Sequence, residues 1–236
     1  ADRYTYLPSL GPFLSMGLFA AWSSHRISHL ASAPGKKMLR RFALSAAVAV
    51  LLILSYLTLT QIAVWKNSLT LWNYEIAAEP DENPVAHYHR GIAYQTDERY
   101  KEAIRDYSTA ISLKPDFYEA YNNRGTVYDA LDQPDLAIRD YTHSLALKPH
   151  FRIYYNRGMS HAMAGASAKA IEDFTRSLSL RPDNAGAYVN RGFAYVKIGD
   201  GQRARRDFEM GCIMGNAVGC NLLNELTRNT NKPGVK

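Results

Sequence analysis

Four glycines at a near-constant spacing constrain this chain of 236 residues more than any other feature. Gly91, Gly125, Gly158 and Gly192 stand 34, 33 and 34 residues apart. Twelve residues after each comes an alanine (Ala103, Ala137, Ala170, Ala204), and four further on an aromatic (Tyr107, Tyr141, Phe174, Phe208). Three of the four units then close with Pro115, Pro149 and Pro182. A period of this length marks a stacked array, in which one helical unit cannot bury its apolar face alone. Each glycine is expected where two helices approach so closely that a Cβ would part them, with the alanine serving the same contact from the other side. Tyr94, Tyr128, His161 and Tyr195, three residues after the glycines, share their helical face and are expected to fill the space between helices. The prolines stop the second helix of each unit.

This order of Gly, aromatic or His, Ala, aromatic and Pro resembles the tetratricopeptide repeat, a helix-turn-helix unit. The resemblance implies four repeats over 84–218, stacked as an all-α, right-handed solenoid with a concave and a convex wall. Such a wall binds other proteins rather than doing chemistry. The chain has no phosphate-cradling loop, zinc signature or arranged nucleophile, so neither enzyme activity nor a cofactor is expected.

Two further columns run through the units. Arg90, Arg124, Arg157 and Arg191 immediately precede the glycines, and Asp106, Asp140, Asp173 and Asp207 follow them by fifteen residues. An acid travelling with every arginine reads as an internal ion pair rather than a stripe for an anionic ligand. One residue before the arginines stand His89, Asn123, Asn156 and Asn190. This column resembles the asparagine ladder with which the repeats of O-linked N-acetylglucosamine transferases hold peptides, and an amide both donates and accepts. The other reading is a polar residue merely tolerated there. With Tyr88, Asn122, Tyr155, Met159, Val189 and Phe193, this column makes the expected partner-binding groove for a protein or peptide.

Charge is divided unevenly along the chain. Residues 1–74 hold seven basic groups against the single acid Asp2, whereas the remainder carries 21 of each sign. The net charge of +6 therefore lies outside the array and is no argument for nucleic acid. Phe42 to Trp65 is a run of 24 residues without a charge. As a helix it would extend about 36 Å, enough to cross a hydrocarbon core of about 30 Å. A second span is expected from about Pro8 to Ser24. Between them lies a loop with five Lys or Arg and no acid, which the positive-inside tendency keeps in the cytoplasm. The array is then expected in the periplasm of a bacterial inner-membrane protein. The loop's role is topology, with anionic lipid head groups a secondary ligand. His25 and His29 are four residues apart, a metal-capable spacing that lacks a third ligand.

The opening ADRYTYLPSLGPF, the two apolar runs and QIAVWKNSLTLWNYEIAAEP before the repeats are similar to the carboxy-terminal part of the transmembrane and tetratricopeptide-containing O-mannosyltransferases. These are polytopic proteins with a glycosyltransferase-C type membrane domain. The acidic residue of an early extracytoplasmic loop that the family uses in catalysis has no counterpart, because Asp2 belongs to the RYTYLP motif. Apolar spacing from Trp65 to Pro80 predicts an amphipathic helix, the second half of a repeat, docking the array on the membrane at a fixed angle.

The expected layout is thus an extracytoplasmic start and first span over 1–24, a basic loop over 25–41, a second span over 42–65, a half-repeat over 66–83, the array, and a capping helix and tail over 219–236. Cys212 and Cys220 flank a Gly215-Asn216 turn between antiparallel helices, and a disulfide between them is expected. Their spacing resembles that of cysteine-rich Sel1-like repeats. The expected function is a membrane-anchored periplasmic scaffold for a protein partner, a candidate accessory subunit of a larger membrane complex. The alternative is the acceptor-binding part of a glycosyltransferase-C type enzyme.

Overall fold

The computed structural model describes residues 36–64, 67–78 and 83–230, and these form eleven helices. The chain divides into two compact units, Ala1–Lys66 and Asn67–Lys236. Helix α1 (Lys36–Val64) belongs to the first. Its apolar side chains, among them Leu44, Leu51, Leu52, Ile53, Leu57 and Leu59, are exposed. The hydroxyls of Ser45, Thr58 and Thr60 donate back to carbonyls of α1 itself.

The second unit begins with α2 (Ser68–Ala78) and continues as four helix pairs: α3 (Pro84–Thr96) with α4 (Tyr100–Leu113), α5 (Tyr118–Ala130) with α6 (Pro134–Leu147), α7 (Phe151–Met163) with α8 (Ser167–Leu180), and α9 (Ala185–Lys197) with α10 (Gly201–Ile213). Helix α11 (Ala217–Thr230) closes the unit. Each helix packs on its sequence neighbour within the unit, and the first helix of a pair also touches the first helix of the next. Local chemistry sets the ends. Asn83, Asn184, Asp200 and Asn216 accept from backbone N–H groups at the starts of α3, α9, α10 and α11, removing orphan donors. Pro115, Pro149 and Pro182 stand two residues past α4, α6 and α8.

The glycine column explains the pairing, with one correction to its partner. A Cβ on Gly91, Gly125, Gly158 or Gly192 would lie 2.7, 2.9, 2.9 or 2.6 Å from the ring of Tyr107, Tyr141, Phe174 or Phe208. The space beside each glycine is filled by the aromatic of the second helix, not by the alanine. Those four rings and the four alanines are all buried and form the successive cores of the array.

The two spanning helices of the expected fold are not among the described elements. Residues 8–24, together with His25, His29 and most of the basic loop, lie outside the described residues. Among the described residues no helix is long and apolar enough to cross a membrane.

Candidate partner-binding wall

The arginine and aspartate columns meet as bidentate pairs. Arg90, Arg124, Arg157 and Arg191 each hold their own Asp106, Asp140, Asp173 or Asp207 through Nε and Nη2 at 2.7–2.8 Å. The remaining Nη1 reaches the preceding second helix, donating to Asn73, Ser108, Thr142 and Thr175 at 2.8–3.1 Å. Each guanidinium therefore ties its own pair together and ties that pair to the one before it. The aspartates are buried and matched on both oxygens, the condition under which a buried charge is tolerated. Hydrogen bonds to the carboxylates hold Arg90, Arg157 and Arg191 above the usual guanidinium value. This column is structural and offers no anion site.

The amide column lies one residue earlier on each first helix, and its nitrogens are engaged inside the wall. Asn123 Nδ2 donates to the Tyr88 hydroxyl at 3.1 Å, Asn156 Nδ2 to Asn122 Oδ1 at 3.4 Å, and Asn190 Nδ2 to the Tyr155 hydroxyl at 2.8 Å. Asn190 Nδ2 also lies 3.0 Å from Met159 Sδ. Every bond runs from one first helix back to the preceding one. Helix periodicity put the two columns side by side, but only stacking showed that Tyr88, Asn122 and Tyr155 are the receivers of the ladder. His89, at the head of the column, stacks on Trp72 with centroids 4.7 Å apart, and burial pushes its imidazole below the usual value.

The expected groove residues thus separate by helical position. His89, Asn123, Asn156 and Asn190 are half-buried along one wall, and Phe193 is open at 41%. Val189 does not line the groove. It is 4% exposed, and its Cγ2 fills the space beside Gly211 and Gly219, so α11 covers it. Tyr88 and Tyr155 are half-buried between first helices for the same reason: this register faces the next first helix. Burial pushes the hydroxyls of both tyrosines above their ordinary value.

At the end of the array Cys212 on α10 and Cys220 on α11 are joined in a disulfide, with Cα atoms 4.5 Å apart. Gly215 between them has φ +81°, the left-handed conformation that a turn this tight requires. Leu222, Leu223 and Leu226 of α11 pack on the core around Phe208. Among the described residues no group of three or more His, Cys, Asp or Glu could hold a metal.

Tetratricopeptide-repeat models match residues 98–132, 118–151 and 151–184. Among curated proteins, outer dynein arm-docking complex subunit 4 of Danio rerio is 39% identical over 54 residues, which are 23% of this chain and 11% of that protein. The match spans about a tenth of that relative. Among solved structures, MamA is 24% identical with a TM-score of 0.60, covering 62% of this chain and 86% of that one. YrrB, described as a TPR protein with an unusual peptide-binding site, is 20% identical with a TM-score of 0.60, covering 70% and 86%. A MamA from Desulfovibrio magneticus RS-1 is 22% identical with a TM-score of 0.58, covering 75% and 96%. At these identities the likeness shows the fold, and it supports neither the O-mannosyltransferase nor the Sel1-like assignment. The helix pairs, their repeated contacts and the matched segments together show that the second unit is a solenoid of tetratricopeptide repeats.

Proposed function

We propose that this chain is a scaffold whose wall of first helices holds an extended segment of a protein partner. The observation that carries this reading is the amide column. Each Nδ2 gives a hydrogen bond to the preceding helix, so what the column offers is carbonyl oxygen at one position per repeat, on Asn156 and Asn190 and, with one lone pair already taken by Asn122 Nδ2, on Asn123. Acceptors repeated at that interval suit backbone N–H groups of an extended chain, and the open ring of Phe193 supplies an apolar anchor beside them. YrrB, of the same fold, is described as having a peptide-binding site.

The test is site-specific photo-cross-linking in the native host. A photoreactive residue at 193 is expected to trap a discrete protein partner, whereas the same residue at 139, on the exposed face of α6, traps none. Equal products from both positions, or none from 193, would overturn the reading.

The membrane part of the proposal rests on the uncharged run 42–65 and on the self-satisfied hydroxyls of an exposed apolar α1. An apolar surface of this kind, with no water-requiring group left unbonded at those three hydroxyls, suits a lipid environment. With the basic loop in the cytoplasm, the repeats project into the periplasm, where an accessory role in a membrane complex fits. Protease added to intact spheroplasts should digest the repeats, and a protected array would reverse the orientation.

A further inference from the structure

Helix α2 is in register with the second helices of the array. Asn73 accepts from Arg90 as Ser108, Thr142 and Thr175 accept from the next three arginines, and Trp72 therefore stands where Tyr107, Tyr141, Phe174 and Phe208 stand. Each of those four rings is buried against the glycine of a first helix. Trp72 is only half-buried, and α2 has no buried residue at all.

A cavity of about 430 Å³ lies here, lined by Trp72, His89, Ile92, Ala93, Thr96 and Asp97 among others. The side of α3 that lines it is the one that looks back along the array. At the same position in later repeats Asn123, Asn156 and Asn190 bond the preceding first helix, whereas His89 lies on Trp72. The cavity is thus the place of a first helix belonging to α2.

The chain's own sequence does not supply that helix in register. The 35-residue offset from Asn73 to Ser108, applied to Gly91, reaches Tyr56, a large side chain that is 68% exposed on α1. In the four complete pairs even a single Cβ at this place would lie within 3.0 Å of the ring.

We propose that this cavity seats an α-helix of a partner protein, with a glycine facing Trp72 and a basic side chain facing Asp97. The argument is continuity with the established helix-pair interface, since an incoming helix would complete a contact already made four times along the chain. A glycine lets the two axes close, and the indole buried by that closure contributes the apolar area. The carboxylate of Asp97 at the cavity selects for opposite charge. This site is separate from the wall carrying Phe193.

The probe is a hydrocarbon-stapled peptide copying Tyr118–Ala130 with Asp129→Lys, which carries Gly125 for Trp72 and, at the position that meets Ser160 in the array, a basic side chain on the Asp97 side. Its binding to the full chain in detergent micelles is followed by fluorescence anisotropy. Saturable binding is expected, weakened about tenfold or more by Gly125→Leu in the peptide, because overpacking against the ring opposes closure. Ala93→Trp in the protein, which fills the cavity, is expected to abolish binding while leaving the helical circular-dichroism signal intact. Phe193→Asp is expected to leave it unchanged. Absence of binding, or equal affinity for the two peptides, would overturn the proposal. Loss in Phe193→Asp but not in Ala93→Trp would place the peptide on the wall and do the same. A self-associating chain made monomeric by Ala93→Trp would assign the cavity to a second copy, which also defeats it.

Discussion

The hydroxyl of Tyr141 donates to the carboxylate of Asp129, 2.9 Å away and twelve residues earlier in the chain. The same offset joins the Tyr107 hydroxyl to Gln95 Oε1 at 2.7 Å. In the third and fourth repeats the ring is Phe174 or Phe208, and the position twelve residues earlier is Ala162 or Val196. Hydroxyl and acceptor therefore come and go together within one chain, as buried polar groups require. Burial raises the tyrosine hydroxyls of 107 and 141 far above their ordinary value, so both remain donors.

That pairing predicts the outcome of moving a hydroxyl. Phe174→Tyr places an O–H opposite Ala162 and is expected to destabilise the array by about 1–3 kcal/mol. Adding Ala162→Gln should recover most of the loss. Urea denaturation of the two variants measures it, and a double variant no more stable than the single would show that the acceptor does not reach the ring.

Asp129 also receives the hydroxyl of Ser160 at 2.7 Å, and burial outweighs both hydrogen bonds, leaving its carboxyl above the usual range. A folded value raised above the unfolded one contributes stability that is present below the unfolded pKa and lost as pH rises through the folded pKa. Asp129→Asn keeps an oxygen to accept these bonds and carries no charge. The variant is expected to exceed wild type in stability at pH 7, with the difference shrinking as pH falls through the raised folded value and gone by the ordinary Asp value of about 4. Paired denaturation curves across this range test it, and a difference that does not change with pH would contradict the assignment.

Gly125 tests the close approach. Alanine there gains up to about 1 kcal/mol in helix propensity, but its Cβ would meet Tyr141 Cε1 at 2.9 Å and Cδ1 at 3.1 Å. Overpacking costs about 1–3 kcal/mol and should win. In a Tyr141→Leu background, where the ring is gone, Gly125→Ala is expected to turn neutral or stabilising. A double-mutant cycle with no coupling would remove the contact as the reason for the glycine.

The disulfide between Cys212 and Cys220 closes a loop with a separation of eight residues. So short a loop contributes about 2–3 kcal/mol, and its effect should be confined to the cap. In Cys212→Ser/Cys220→Ser, hydrogen exchange is expected to accelerate in α11 while α5 to α8 keep their protection, because the helix is then held without a covalent tie, by the packing of Leu222, Leu223 and Leu226 and by its N-terminal cap. Uniform acceleration along the array would show that the bridge supports more than the cap.

How far the sequence could be read followed from how local each cause is. Glycine, alanine, aromatic and proline recur at fixed offsets because each answers a constraint within one helix pair, so repeat number, helix order and the Arg–Asp pairs were all legible as periodicity. The side chains between pairs were not. Val189 shares its column with Tyr88, Asn122 and Tyr155, and only the docking of α11 decided that it is covered. Asn123 and Asn190 read as able both to donate to and to accept from a ligand, yet their nitrogens bond tyrosines 35 residues away. The third nitrogen of each arginine found a partner in the preceding helix pair, through Asn73, Ser108, Thr142 or Thr175, a column of small polar residues whose exposed-looking composition gives no sign of a partner 15 to 17 residues later. Sequence fixes what a helix pair must contain because those contacts repeat within about 16 residues. Stacking decides what each pair shows to its neighbour, and therefore which faces remain for a partner.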